Sequence, residues 1–159
     1  MQNSHSDLLS KFNKLYSEVY DYNYDFMKDS TIATSVEQNM FLFALIRNGR
    51  FKVRISTVLL YRGSIHGWNA ADFHKQCDMK GPTVSLFHVK ETNIRCGGFT
   101  TLNWESHASG TYKNDPNSFL FQLNNKLHFP VIDSTKSIWT RNCEGPVFGD
   151  THGELSAWS

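Results

Sequence analysis

Hydroxyl, imidazole and thiol groups crowd into one stretch of this chain, residues 62–78. Gly63-Ser-Ile-His-Gly67 sets a serine and a histidine two residues apart. A Ser–His pair that attacks a carbonyl needs Oγ within hydrogen-bond reach of an imidazole held by a third group. Neighbours within one loop rarely reach that geometry, so the stretch reads as a plain turn. His74-Lys-Gln-Cys77 is the best metal-like pair. On a helix, residues i and i+3 share a face, so both side chains could reach one ion. Zinc wants four ligands, with tight spacing inside each pair. The second pair would have to come from Cys96, Cys143, His107, His128 or His152, which are scattered along the chain. The reading is therefore a surface His74, a buried Cys77 that behaves as a small hydrophobe, and no metal or cofactor.

Other chemistry has no footing. The chain has no Gly-x-x-x-x-Gly-Lys-Ser/Thr phosphate loop, no His-Glu-x-x-His zinc helix and no Gly-x-Ser-x-Gly elbow. Trp68, Trp104, Trp139 and Trp158 fit core or interface roles better than a stacking surface. An enzyme reading would centre on residues 62–77 and rest only on His66, His74 and Cys77 lying close in sequence.

The elements that must position these residues follow from periodicity. Leu8, Phe12, Leu15 and Val19 mark one face of a helix over residues 7–20, followed by a polar linker to residue 34. Ser35-Val-Glu-Gln38 is a capping box, and Met40-Phe-Leu-Phe-Ala-Leu-Ile46 a buried helix stopped at Asn48-Gly49. Phe51, Val53 and Ile55 alternate with polar residues, which predicts a strand running on through Tyr61. Residues 62–67 read as a loop, and Asn69 as the cap of a short helix over 70–77 that Gly81-Pro82 closes off. Residues 83–89 and 94–101 make a hairpin across 90–93. Gly97 and Gly98 sit inside that apolar strand, where close backbone approach or positive φ is expected. Phe119, Phe121 and Leu123 alternate as one apolar face, and strands follow over 127–132 and 137–141.

Size and composition set the frame. At 159 residues, one domain is the natural expectation, and about 68–70% of the unfolded surface should be buried. Aromatics are 14% of the chain and twelve of them are Phe, so the core should be ring-filled. A net charge of +1 argues against capture of nucleic acid or anionic membrane. Three widely spaced cysteines do not make a disulfide framework. With no Asn-x-Ser/Thr sequon and no apolar leader, the compartment expected is reducing and cytoplasmic. The longest apolar run, residues 40–46, is too short to span a bilayer.

In order, Leu59-Leu-Tyr-Arg-Gly-Ser64, Gly67-Trp68, Phe73-His74, Cys77-Asp78 and Lys80-Gly-Pro-Thr83 resemble the TLDc domain. So do Gly97-Gly-Phe-Thr100, Trp104, Tyr112-Lys113, Asp115-Pro116, Ser118-Phe-Leu-Phe121 and Gly145-Pro-Val-Phe-Gly149. No single piece is specific; the ordered set is. The resemblance implies an α+β, β-rich fold: a two-sheet antiparallel β-sandwich flanked by a few helices. It implies protection from oxidative damage, regulation of the vacuolar proton pump (V-ATPase) by binding to it, and no catalytic residues or cofactor. Residues 1–34 would be an N-terminal helix and linker, and 35–159 the TLDc-like domain. Carried onto this chain, the binding loop is Arg62, Ser64, His66 and Trp68. The structural motif is Gly81, Pro82, Gly97, Gly98, Phe99, Trp104, Phe119, Phe121, Gly145, Pro146 and Gly149.

Two departures stand out. The family's usual Arg-Gly-Ser-Arg-Asp-Gly is Arg62-Gly-Ser-Ile-His-Gly67 here, losing a charged pair, and Gly-His-Asp gives way to Asp150-Thr-His-Gly-Glu-Leu155. The family's closing strands are expected to be missing, which would leave an edge open to association. The leading expectation is a non-enzymatic protein-binding module; the alternatives are an enzyme of unknown reaction or a structural subunit of a larger assembly.

Overall fold

The structure, a computed structural model, describes residues 26–47 and 55–149 and the backbone of 155–156. The helix expected over 7–20, the strand start at Phe51 and Val53, and His152 and Trp158 lie outside the described residues. The chain divides into two units, one comprising residues 1–30 and 34–58 and the other residues 31–33 and 59–159.

In the first unit, α1 spans Val36–Arg47. Its start is the expected capping box. Ser35 Oγ accepts from Gln38 N at 3.2 Å, and Gln38 Oε1 accepts from Thr34 N at 3.2 Å and Ser35 N at 3.5 Å. Together these satisfy donors that no helical carbonyl can reach. Leu42 and Phe43 are buried, and Phe26 meets Phe43 edge-on at 5.3 Å. Residues 55–61 do not form the predicted strand. Leu60 and Tyr61 both pack against one apolar cluster of the second unit, so the burial there loses the period of two that a pleat requires.

The second unit begins with α2, Gly63–His66, and α3, Ala70–Cys77. The expected loop at 62–67 is thus a helical turn, closed where Gly67 N donates to Gly63 O at 3.0 Å and ended by Gly67 at φ 107°. Asp72 braces the start of α3 by accepting from Asn69 N at 3.1 Å. Gly81-Pro82 is a cis peptide, and a Cβ at Gly81 would run into the Leu102 carbonyl.

Eight strands follow: β1 Thr83–Val89, β2 Ile94–Thr100, β3 Thr111–Lys113, β4 Phe119–Gln122, β5 Leu127–Pro130, β6 Ile138–Thr140, β7 Val147–Phe148 and β8 Leu155–Ser156. They form two antiparallel four-stranded sheets, ordered β1-β2-β4-β5 and β3-β6-β7-β8. The fold is α+β and β-rich, as the motifs implied.

Antiparallel partners share a face, so Gly98, paired with Leu120, points the same way as Leu120. That face meets the second sheet, since Leu120 packs on the cluster of Phe73, Cys77, Trp104, Ile138 and Phe148. Phe99, Phe119 and Phe121 alternate onto the opposite face. There Phe99 stacks on Phe119 at 5.1 Å and Phe119 meets Phe121 at 6.2 Å. The expectation that Phe119 and Phe121 fill the space between the sheets is therefore corrected. Alternation predicts two faces and does not say which of them another sheet covers. Gly145 and Pro146 are buried ahead of β7, and Gly149, at φ 83°, donates its N–H to Ser137 O at 3.0 Å.

Candidate functional site

The loop carrying Arg62, Ser64, His66 and Trp68 is braced from below. Tyr61 donates its hydroxyl to Gly67 O at 2.6 Å, and Arg62 N donates to His66 Nδ1 at 2.9 Å. The His66 ring stacks on Tyr61 at 5.9 Å. No hydrogen bond joins Ser64 to His66, because the imidazole is turned to the backbone and Tyr61. What the turn presents outward is apolar: Ile65 and Trp68 are each 63% exposed. The Trp68 ring lies across Gly63, where an added Cβ would stand 2.5 Å from it. The structure thus brings the four candidates into one turn and adds Ile65, which the sequence reading passed over. Its signal was the apolar residue standing where the family carries a charge.

His74 is buried, not at the surface as expected. Its Nδ1 meets Asp78 Oδ1 at 2.6 Å, and its Nε2 faces Arg141 O at 2.8 Å and Glu144 O at 2.9 Å. Four buried-face positions of α3 explain this: Phe73, His74 and Cys77 turn inward together, and Asp78 follows one turn after His74. Asp78 Oδ2 also accepts from Ser106 Oγ at 2.5 Å. Serine, aspartate and histidine are in contact here with the carboxylate in the middle. A nucleophilic triad needs the imidazole in the middle, so this order cannot activate Ser106. Both nitrogens of His74 are engaged, which removes it from the metal pair considered with Cys77. Among the described residues, no group of three or more His, Cys, Asp or Glu could hold a metal ion.

Asp115 forms a second buried polar centre that the sequence reading missed. It accepts from Thr100 Oγ1 and Thr101 N at 2.7 Å, Thr101 Oγ1 at 2.8 Å and Asn117 N at 3.0 Å. Its own N–H donates to Ser137 Oγ at 3.0 Å, and its carbonyl accepts from Ser118 and Ser137 hydroxyls at 3.0 and 2.8 Å. Trp104, fully buried, donates Nε1 to Thr83 Oγ1 at 2.9 Å and packs edge-on to Phe73 and Phe148. Beside it, Glu105 bridges Lys113 at 2.5 Å and His107 at 2.6 Å, and hydrogen bonds from those two hold its carboxyl below the usual range.

All three cysteines are free thiols. Burial, with the Asp78 charge adding to it, pushes the Cys77 thiol up to about 12, and burial also raises Cys96. Cys143 is the exposed one, so the expectation that Cys96 is the accessible thiol is corrected. The thiolate is the species that reacts. In the folded protein near neutral pH, iodoacetamide is expected to label Cys143 first and Cys77 at least about 100-fold more slowly. Equal labelling rates, read by peptide mass spectrometry, would contradict the burial of α3.

Fold and site together define an α+β, β-rich domain of two antiparallel sheets, in which the inward polar side chains serve the scaffold and the outward loop is apolar. The chain belongs to the TLDc domain family, whose sequence profile matches residues 26–158. Nothing matches among curated proteins or among solved structures.

Proposed function

We propose that this chain is a non-enzymatic protein-binding module that docks on the V-ATPase and supports resistance to oxidative stress. The family supplies the partner class. The observation that carries the reading is the braced turn with Ile65 and Trp68 exposed at its tip. An exposed Trp held rigidly loses little freedom on docking, and Trp anchors are enriched among residues that dominate binding energy. Ile65 and His66 stand where the family has a charged pair, so the partner surface for this member is apolar at that point. Arg62 and Ser64 flank the tip and set its polar rim. No helix of the described residues is long and apolar enough to cross a membrane, and docking would occur on the cytoplasmic side of the pump.

Immobilised chain should retain V-ATPase subunits from a cell extract. The double variant Ile65→Ser, Trp68→Ala should retain them at least about tenfold less, with an unchanged melt. Equal retention by the double variant would remove the turn from the interface. Failure of the native chain to retain any subunit would remove the pump as partner.

A further inference from the structure

We propose that His74 and Asp78 form a proton-held latch that fastens the loop 141–145 to α3 and releases it as the proton is lost. A neutral imidazole has one donor and one acceptor nitrogen. Here Nδ1 faces a carboxylate oxygen at 2.6 Å, and Nε2 faces two carbonyl oxygens at 2.8 and 2.9 Å. Whichever single nitrogen carried hydrogen, the other would set a lone pair against an acceptor. His74 is 6% exposed, so water is poorly placed to relieve that opposition. With hydrogen on both nitrogens every contact becomes a donor–acceptor pair, and two of them are charge-assisted or shared with carbonyls.

The neighbouring groups allow this state. From its end of α3, Asp78 supplies the facing negative charge, and the Ser106 hydroxyl donated to its other oxygen at 2.5 Å keeps it an acceptor. Cys77, on the same helix face, is held as a neutral thiol by burial. Phe73 turns its ring edge-on to the imidazole at 5.2 Å. From the loop, the Arg141 and Glu144 side chains pair with each other at 3.5 Å and so offset one another. On the segment after Trp104, the Glu105 carboxylate is engaged by Lys113 and His107.

The latch has something to hold. Arg141 and Glu144 carbonyls anchor a turn that leads directly into buried Gly145, Pro146 and β7, the strand whose Phe148 fills the space against Gly98. The sign follows from the extra proton. The latched state binds one more proton than the released state, so acid favours it and rising pH loosens it.

Two measurements on the native chain test this. Nitrogen-15 NMR of the imidazole should show both His74 nitrogens protonated at about pH 6. Amide-exchange protection at Asn142 and Glu144 should fall about tenfold between about pH 6 and about pH 9. Protection in β2 and β4 should stay level. Asp78→Asn should move the pH of both changes downward. An unprotonated nitrogen on His74 at about pH 6, or loop protection that stays constant over the range, would overturn the proposal. If Asp78→Asn does not fold, the native measurements still decide.

Discussion

Gly98→Val is expected to lower stability by about 3 kcal/mol, the upper end for overpacking in a closed site. A Cβ at this position would stand 2.7 Å from three carbons of the Phe148 ring. That ring is 2% exposed and lies edge-on to Trp104 at 5.5 Å, so it has no free side to move toward. Real packing tolerates almost no such approach, and the two sheets would have to part or the strand would have to bend. For a chain of this size the loss corresponds to about 6–12 °C in melting temperature. Adding Phe148→Leu should recover part of it, because the second substitution opens the space that the valine needs. A melt unchanged by Gly98→Val would mean that the sheets are not packed in this way.

Asp115→Ala should be costlier still, about 3–5 kcal/mol. The carboxylate is 1% exposed and takes four donors, two of them main-chain N–H groups. Removing it leaves those donors buried without an acceptor, and each orphan costs about 1–3 kcal/mol. The same residue ties three segments together: the end of β2, the start of β4 and the turn ahead of β6. Denaturant titration should show a lower midpoint at unchanged slope, the mark of lost native stability. A loss below about 1 kcal/mol would show that water or relaxed threonines take over the carboxylate's role.

These two positions show what was legible in the sequence and what was not. The glycine pair stood out because two glycines in an apolar strand break a local pattern, and local patterns are visible without knowing what packs above them. The hairpin of β1 and β2 and the alternation of β4 were legible for the same reason. Asp115 was not, since Asp-Pro-Asn-Ser reads as a loop, and its partners Thr100 and Thr101 lie 14 and 15 residues upstream. His74 was misplaced at the surface on its polarity alone. The carbonyls that receive it stand 67 and 70 residues later, and no periodicity links them. The strand drawn through Tyr61 failed because Leu60 and Tyr61 turn into one cluster, where tertiary packing overrides alternation. At the binding turn, the sequence located the residues but not their exposure, because an isolated Trp is equally at home in a core.

The two-faced burial of the β1-β2-β4-β5 sheet has a consequence for how the strands find their alignment. In a sheet with one wet face, a one-residue slip turns apolar side chains to water, and that penalty sets the register. Here Phe119, Leu120 and Phe121 are apolar in succession, and a slip of β4 would merely exchange one greasy face for the other. The discrimination must come from shape instead. Only Gly98 opposite Leu120 leaves the hollow that Phe148 occupies, and only Gly97 beside Phe121 leaves room for that ring and for the Ser85 carbonyl. A shifted pairing would present Phe99 or Cys96 to Phe148 in place of hydrogen. The glycine pair therefore acts as a key cut in backbone, admitting one alignment of the strands by steric exclusion where hydrophobicity is indifferent.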